Sequence, residues 1–387
     1  MNILYIAPLD YVHDIKWMGY FSSDRSNKVF VVAEKDTHGR IDDAIREDLE
    51  RNHIRLLPPL ANFSARKFMQ TWKSIRLLRR YLRDHNIQVV HALFACPQAL
   101  WLSFLDTPSM ITTRGSDALL LLPGLLKSTG IRGLQDRLLF SLFRRSFRKA
   151  TFITSTSTGQ ITAIEKTFGI RNKLHLVRSG IDVSQVSASS APEHLPLPLQ
   201  GKKFVFSPRF MSPVYNIELQ ALTIRLLSEE VRKKYCFAFI KSQFSDPAYA
   251  GNVIDILKSI PGLDFVILDL LNPQEMYACF KQTSLTLITP LSDGTPNTAL
   301  EAMAARSPLI LGSYSYDRDL FDGTCMKLGS NDPATLATGI EQALSNYPEG
   351  MLDKAENAVN LLGNREKEMQ KLRDLYTQMA PEQKKNT

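Results

Sequence analysis

Short apolar runs alternate with helix-forming runs along almost the whole chain, and this alternation limits the fold more than any other feature. Strand-like runs begin at Asn2, Lys28, Ser109 and Thr151, and amphipathic or helix-favouring segments lie between them. Short apolar strands separated by helices are typical of parallel sheets whose strands are joined by crossover helices. The sequence therefore predicts an α/β fold.

The alternation is interrupted once. Residues 183–200 are dominated by serine and proline, and the strand–helix rhythm restarts at Lys203. We therefore expect a first α/β domain at 1–183, a linker at 184–200, a second α/β domain at 201–365, and a C-terminal helix and tail at 366–387. Two such domains form a cleft, which is a common place for a ligand. No GxGxxG follows a strand-like run, so a dinucleotide site is disfavoured.

Composition excludes several classes of protein. The 387 residues include four cysteines without a CxxC pair and seven scattered histidines, which disfavours a structural zinc site. The unpaired cysteines suggest a reducing compartment. No apolar run reaches the roughly 18 residues that a membrane-spanning helix needs. We expect a cytoplasmic protein, held peripherally at the inner face of the cell membrane.

Positive charge is concentrated in the first half of the chain. Residues 1–200 hold 27 basic and 17 acidic residues, whereas 201–387 hold 20 and 22. Two segments, 64–83 and 132–149, interleave arginine and lysine with apolar residues, including Phe68, Trp72, Ile75, Leu78 and Leu82 at helical spacing in the first. They fit a solvated helix face, an anionic membrane surface or nucleic acid. No nucleic-acid motif accompanies them, so we expect no nucleic-acid partner.

The segment from Ser284 to Leu311 contains the most specific chemical pattern. A strand-like run is followed by a polar loop and then by a helix-forming run, with Asp293 in the loop and Glu301 eight residues later. The loop between them consists of turn and cap residues, namely Gly294, Thr295, Pro296, Asn297 and Thr298. Free N–H groups at a helix start favour phosphate, and nearby carboxylates suit sugar hydroxyls. The alternative is a helix capped by Asn297 or Thr298 with a first-turn acid at Glu301.

Several motifs in order resemble glycosyltransferase family 4, whose members are retaining enzymes with the GT-B fold of two facing Rossmann-like domains. The resemblance covers nearly the whole chain and rests on MNILYIAP, VVHALFACPQALWLSFL, MITTRGSDALL, KLHLVRSGID, FVFSPRFMSPVYN and SDGTPNTALEAMAARSPLI. The last block resembles the family's Glu-x7-Glu block and is the most specific of the six.

The resemblance implies roles for individual residues. It assigns Asp293 to the hydroxyls of the donor sugar, Glu301 to the ribose of the nucleotide, and Arg209 to the diphosphate. The loop Gly294–Thr298 would offer backbone N–H groups to sugar or phosphate. Leaving-group charge is stabilised in this family by basic side chains and helix dipoles, so no metal or other cofactor is expected.

The chain also departs from the family pattern. Tyr215, beside Asn216 in the expected donor site, replaces a lysine that follows the family's arginine by six residues, and we expect Lys241 to supply the missing charge. Arg114 stands where the family has a histidine near the transferred sugar, and it joins Asp293, Arg209 and His91 as a catalytic candidate. Three further departures are Asp293 in place of the first glutamate, Leu93 in place of the second histidine of a His-x-His that begins at His91, and Arg306 in place of a glycine.

Acceptor contacts are expected in the first domain. His13 and Lys16, with Trp17, follow the first strand-like run in what the sequence suggests is a loop, and Asp117 ends the TTRGSD block. Asp317-Arg318-Asp319 spells the DxD metal signature of a different glycosyltransferase fold, but we expect no metal there.

The sequence therefore predicts a bacterial retaining glycosyltransferase. It would move a sugar from a nucleotide diphosphate-sugar, a UDP-sugar being favoured over a GDP-sugar, to a glycan or lipid-linked acceptor in cell-surface polysaccharide synthesis, such as lipopolysaccharide or capsule. The alternative is a non-catalytic GT-B subunit that binds a nucleotide-sugar or glycan within an assembly. A nucleic-acid-binding protein is a third hypothesis, which steep salt dependence of duplex binding would support.

Overall fold

The chain forms two compact units, each built on its own parallel sheet. The computed structural model describes residues 1–9, 12–39, 41–64, 67–189 and 193–379. The first unit comprises residues 1–177 together with the chain from 369 onward, and the second comprises 178–368. The division falls at Val177, earlier than the predicted boundary at 183.

The first unit contains a seven-stranded sheet with strand order β3-β2-β1-β4-β5-β6-β7, and all of its pairs are parallel. Its strands are β1 Asn2–Ile6, β2 Lys28–Val32, β3 Ile54–Leu56, β4 Val89–Ala92, β5 Ser109–Thr113, β6 Phe152–Ser155 and β7 Leu174–Leu176. Alternate residues of β1 enter opposite cores, with Leu4 and Ile6 on one face and Ile3 and Tyr5 on the other. Because both faces are covered, β1 and β2 are apolar at every position after the first, as the sequence predicts.

Helices cover both faces of this sheet. They are α1 Val12–Ser22, α2 Lys35–His38, α3 Asp43–Arg51, α4 Phe68–Asp84, α5 Leu122–Gly124, α6 Gly130–Lys149 and α7 Thr158–Phe168. A 3₁₀ segment spans Gln98–Phe104, and one π-turn spans Asp117–Leu121. The predicted first loop is wrong in one respect, since Lys16 and Trp17 lie within α1.

The second unit contains a six-stranded parallel sheet with strand order β10-β9-β8-β11-β12-β13. Its strands are β8 Phe204–Phe210, β9 Cys236–Ile240, β10 Phe265–Leu268, β11 Leu285–Ile288, β12 Leu309–Leu311 and β13 Met326–Lys327. The strand-like runs predicted from Lys203 and from Ser284 correspond to β8 and β11, whereas β13, with two residues, is too short to form a visible apolar run. Two sheets of parallel strands with crossover helices confirm the predicted α/β class.

The helices of the second unit are α8 Val183–Ala188, α9 Ile217–Ile224, α10 Glu229–Lys234, α11 Pro247–Lys258, α12 Pro273–Gln282, α13 Asn297–Ala304, α14 Arg318–Phe321, α15 Pro333–Ser345 and α16 Glu349–Leu362. Two 3₁₀ turns add Leu197–Leu199 and Pro213–Tyr215. The described residues of the predicted linker, 184–189 and 193–200, belong to this unit. Val186 is buried beside Ile288, and Leu199 is buried beside Phe204, because apolar residues recur among the serines and prolines.

The last helix, α17, spans Arg365–Met379 and from Met369 onward belongs to the first unit. Met369, Leu372 and Tyr376 recur at helical spacing and are buried in the same core as Tyr5 and Phe21. The predicted C-terminal helix therefore completes the first sheet's core, and positions 380–387 of the predicted tail lie outside the described residues. No helix within the described ranges has both the length and the apolar character needed to cross a bilayer.

Candidate functional site

The carboxyl ends of the adjacent strands β8 and β11 bring two of the predicted site residues into contact. Arg209 lies near the end of β8, and Asp293 follows β11 by five residues. The Arg209 Nη2 lies 3.3 Å from the Asp293 Oδ2, and the Arg209 Nη1 donates to the Thr298 Oγ1 at 3.4 Å. The side chains of Arg209 and Asp293 are 17% and 18% exposed, so the pair is reachable from solvent.

Tyr215 covers one face of the Arg209 guanidinium group. The guanidinium carbon lies 3.9 Å from the centre of the Tyr215 ring, within the range of a cation–π contact. The Phe210 ring meets the Tyr215 ring edge-on at 4.8 Å. Next to Tyr215, Asn216 adopts a left-handed conformation with φ of 54°, which asparagine tolerates better than most residues. At the position where the resemblance predicts a lysine, an aromatic ring therefore packs on the Arg209 guanidinium.

The loop after β11 leads directly into α13. The N-cap of α13 is Pro296, which makes no side-chain cap bond, so the alternative of a cap at Asn297 or Thr298 is wrong. Proline cannot cap through a side-chain oxygen, and Thr298 instead accepts from Arg209. Gly294 donates its N–H to the Asp293 Oδ1 at 2.7 Å, and Thr295 is buried. The N-terminal N–H groups of α13 therefore lie next to the Arg209–Asp293 pair, in a position that favours an anion.

Glu301 lies in the second turn of α13 and is half-buried. The pKa of Tyr277 is raised to about 12, mainly by burial and in smaller part by the charges of Glu301 and Asp182. Glu301, on α13, is thus near Tyr277 of α12. Its predicted contact with a ribose stays a prediction.

Lys241 directly follows β9, the strand next to β8. Its backbone N–H donates to the Leu268 carbonyl at 2.8 Å, and its side chain is exposed. The residue is at the same edge of the sheet as Arg209, one strand away. That it supplies the second charge for the diphosphate stays a prediction.

Tyr314 was not anticipated from the sequence. It follows β12 by three residues, and within the described part of the chain its hydroxyl oxygen is inaccessible to solvent and has no hydrogen-bond partner. Burial raises the pKa of this hydroxyl well above 10, the negative charge of Asp293 raises it further, and Arg209 acts in the opposite direction. No sequence motif marks Tyr314, which lies in an ordinary polar stretch after a strand.

In the first unit, Arg114 forms an ion pair with the buried carboxylate of Asp14, and its guanidinium carbon lies 5.1 Å from the centre of the Trp17 ring. Asp14 and Trp17 both belong to α1, so this helix fixes the arginine that replaces the expected histidine. Lys16 is exposed on the same helix. The side chain of His13 lies outside the described residues.

Two predicted site residues of the first unit have structural roles instead. Asp117 is completely buried, and its carboxylate accepts the backbone N–H groups of Ala95, Arg114, Gly115 and Ala118, so it holds the turn after β5 and is not placed to bind an acceptor. Burial raises its pKa, and these four bonds act in the opposite direction.

His91 is likewise completely buried, and this placement contradicts a catalytic role. Its Nδ1 bonds to the Tyr376 hydroxyl and its Nε2 to the Thr112 hydroxyl at 2.6 Å. Burial lowers its pKa well below 6.5, and the charge of Arg114 lowers it further, so the ring is neutral at neutral pH. With both nitrogens used inside the core, the ring has none left for a substrate.

The DxD sequence is part of a buried ion pair. The Arg178 Nε lies 2.6 Å from the Asp317 Oδ2, and the Arg178 Nη2 lies 3.2 Å from the other oxygen of the same carboxylate. Asp319 is 3.4 Å from the same nitrogen. An arginine therefore occupies both oxygens of Asp317.

Residues 23–185 match the sequence model described as Glycosyltransferase Family 4. A comparison with curated proteins gives no match. A glycosyltransferase from Rickettsia africae is 12% identical to this chain and aligns over 100% of this chain and 99% of its own, with a TM-score of 0.75.

Anabaena HepE in complex with UDP-glucose is 13% identical and aligns over 98% of this chain and 100% of its own, also with a TM-score of 0.75. WaaG, a glycosyltransferase involved in lipopolysaccharide biosynthesis, is 13% identical, with coverage of 97% and 100% and a TM-score of 0.69. The family match confirms the resemblance to family 4 over residues 23–185, and the structural matches confirm the GT-B fold over the whole chain.

Proposed function

We propose that this chain, a GT-B glycosyltransferase whose first half matches Family 4, is a retaining enzyme that transfers a sugar from a nucleotide diphosphate donor to a glycan or lipid-linked acceptor. The observation that carries the proposal is the Arg209–Asp293–Thr298 cluster beside the start of α13. A guanidinium, an uncapped helix start and a carboxylate together can bind a diphosphate and the sugar attached to it.

Each group has a defined part in the proposed reaction. As the bond to the donor sugar breaks, negative charge grows on the diphosphate oxygen, and Arg209 stabilises it most strongly at that stage. Asp293 accepts hydrogen bonds from hydroxyls of the transferred sugar, and Glu301 binds the ribose. Retention follows from attack on the face that the diphosphate leaves. Arg114, held by Asp14 and Trp17, contacts the transferred sugar, and Lys16 contacts the acceptor.

Tyr215 changes how the diphosphate is held. Its ring occupies one face of the Arg209 guanidinium, while the N–H groups at the edge of the guanidinium point to Asp293 and Thr298. A guanidinium fixed in this way loses little side-chain freedom when phosphate oxygens bind to it. The donor site therefore relies on one well-positioned cation, with Lys241, which follows the neighbouring strand β9, as the proposed second. No metal is needed in this scheme, and turnover should survive incubation with EDTA.

The donor and the pathway are proposed from the structural relatives. HepE has been solved with UDP-glucose, which favours a UDP-sugar over a GDP-sugar as the donor. WaaG is involved in lipopolysaccharide biosynthesis, which favours an acceptor in a cell-surface polysaccharide pathway. Lipid-linked acceptors are found at a membrane surface, and the basic segments of the first unit fit such a location.

The exposed apolar side chains support membrane attachment through α4. Phe68, Met69 and Trp72 are 69%, 73% and 41% exposed, whereas Ile75 and Leu78, predicted on the same face, are buried in the core. Lys67, Lys73 and Arg76 are exposed beside them. On α6, Leu134 and Leu138 are exposed next to Arg137. Apolar side chains surrounded by cations suit an anionic lipid surface.

Flotation with vesicles tests this attachment. Wild-type protein should float with vesicles that contain phosphatidylglycerol and much less with pure phosphatidylcholine. The double substitution Phe68→Ser, Trp72→Ser should weaken flotation. Leu361→Ser should leave it unchanged, because Leu361 lies in the second unit, although it is about as exposed as Phe68. Equal flotation with both lipids at low salt would exclude the attachment.

Thermal unfolding with a panel of nucleotide-sugars tests the proposed function. A true donor raises the melting temperature by mass action. We expect stabilisation by UDP-sugars, its loss in Arg209→Ala, and no change in Arg225→Ala, which alters an exposed arginine of the same unit. If no nucleotide-sugar stabilises the wild-type chain, the proposed donor class is wrong.

A further inference from the structure

The hydroxyl group of Tyr314 lies buried without a partner among the described residues, whereas a partly buried tyrosine of the same unit makes hydrogen bonds. The hydroxyl of Tyr347 exchanges two hydrogen bonds with the backbone of Leu309, each 3.2 Å long. A buried hydroxyl that makes no hydrogen bond costs stability, so its presence needs a reason.

The position of Tyr314 in the sheet brings it close to the donor site. β12 pairs with β11, and the Gly312 N–H donates to the Ile288 carbonyl at 2.8 Å. A Cβ on Gly312 would lie 2.9 Å from the Thr289 Cα, so a glycine is required where the two strand ends approach. The chain then reaches Tyr314 two residues beyond this contact, next to the loop that carries Asp293.

Asp293 and Arg209 are the two charged site residues that act on the Tyr314 hydroxyl. Its raised pKa keeps the group protonated at neutral pH, so it can donate a hydrogen bond to a carboxylate. In the donor-free chain the Asp293 carboxylate accepts from Arg209 and from the Gly294 N–H. A diphosphate that binds to Arg209 would compete with Asp293 for the same guanidinium.

We propose that Tyr314 is a positioning residue for Asp293, and that its hydroxyl becomes a partner of the Asp293 carboxylate when a donor diphosphate takes over Arg209. The carboxylate, held by Tyr314 and Gly294, then stays oriented to accept hydrogen bonds from the hydroxyls of the transferred sugar. This inference rests on the proposed function, because it assigns Tyr314 to the same nucleotide-sugar site.

Two matched substitutions test the inference, each removing one hydroxyl from a tyrosine of the second unit. Without ligand, Tyr314→Phe should melt at the wild-type temperature or slightly above it, because it removes an unpaired buried group. Tyr347→Phe should melt about 2 to 4 °C lower, because it removes hydrogen bonds.

Titration with UDP and with a stabilising UDP-sugar gives the second measurement. Tyr314→Phe should bind UDP about twofold more weakly, because Asp293 loses one partner when the diphosphate takes over Arg209, and the UDP-sugar about tenfold more weakly, because the sugar hydroxyls also depend on the orientation of Asp293. Tyr347→Phe should bind both ligands like the wild type. A purely structural tyrosine would not separate the two ligands.

Two results would overturn the assignment of Tyr314. One is a melting temperature of Tyr314→Phe as low as that of Tyr347→Phe, and the other is wild-type affinity of Tyr314→Phe for the UDP-sugar. Both are distinct from failure of the proposed function, in which the wild-type chain itself would bind no nucleotide-sugar.

Discussion

Two arginine–aspartate pairs in the second unit consist of the same residue types and differ in almost everything else. The side chains of Arg178 and Asp317 are 2% and 0% exposed and share two hydrogen bonds. The backbone N–H of Arg178 also donates to the Glu368 carboxylate at 2.8 Å. Arg209 and Asp293 are 17% and 18% exposed and meet at a single distance of 3.3 Å.

The difference in burial and bond length distinguishes a structural ion pair from a pair whose side chains a substrate can reach. In the buried pair both carboxylate oxygens are used, and removing one partner would leave an uncompensated charge in the core. In the open pair the bond is long, solvent reaches both side chains, and the Tyr215 ring fixes the guanidinium plane. Under the proposed function, we expect a phosphate to replace Asp293 at Arg209 without disturbing the fold.

The largest expected effect is on the buried pair. Asp317→Ala should lower the free energy of unfolding by about 3 to 5 kcal/mol, because Arg178 would remain buried with only the long contact to the exposed Asp319 carboxylate. Urea unfolding measures this loss. Asp319→Ala, at the exposed end of the same motif, should cost less than about 1 kcal/mol. Similar losses in the two variants would remove the distinction between buried and open pairs.

Arg209→Ala should act on the reaction and hardly on the fold. Loss of the cation at the leaving diphosphate should lower turnover about 100- to 1000-fold, as loss of one transition-state donor does elsewhere. The free energy of unfolding should change by less than about 1 kcal/mol, since the pair is partly exposed. Donor turnover and urea unfolding of the same preparation measure both quantities. An inactive variant that is also strongly destabilised would mean that Arg209 is structural.

Tyr215 substitutions test the contact that replaces the family's lysine. Tyr215→Phe keeps a ring over the guanidinium and should have nearly wild-type KM for the donor. Tyr215→Leu removes the cation–π contact, which is worth about 0.5 to 2 kcal/mol, and should raise KM roughly 2- to 30-fold. Tyr215→Lys adds a charge and should make donor binding more sensitive to salt. Equal KM values for Phe and Leu would show that the ring does not position Arg209.

Asp293→Asn should strengthen the binding of UDP and weaken sugar transfer. The change in UDP affinity is the smallest effect expected here. Because the carboxylate no longer competes for Arg209, UDP without a sugar should bind about two- to fivefold more tightly, as expected for a partly exposed ion pair. Sugar transfer should fall, because the amide accepts fewer hydrogen bonds from sugar hydroxyls. Weaker binding of UDP would argue against competition between Asp293 and phosphate.

The sequence predicts the sheets and the Arg209–Asp293 site because their signals are local. A buried parallel strand is apolar along its whole length, and the loop before α13 is visible as glycine, proline and polar residues after such a strand. The family pattern then places Arg209 at the end of β8. These features need only the order of residues along the chain.

The remaining features depend on contacts across long separations. Asp317 meets Arg178 across 139 positions, so the motif alone resembles a metal site. His91 and Asp117 lie at or just after strand ends, where catalytic residues are common, yet their burial depends on α17 and on the turn after β5. The stacking of Tyr215 on Arg209 joins residues only six positions apart, but no pattern of residue types indicates that the ring lies over the guanidinium. Tyr314 has no sequence signal, because an unpartnered hydroxyl is recognised only when every neighbour is known.

A crystal structure of the chain with a stabilising UDP-sugar tests the central claim most directly. The diphosphate should lie at the edge of the Arg209 guanidinium and at the start of α13, with Tyr215 still stacked on the guanidinium face and with Asp293 bonded to sugar hydroxyls. A diphosphate bound away from Arg209, or an Arg209–Asp293 pair unchanged in the complex, would contradict the assignment of this cluster as the donor site.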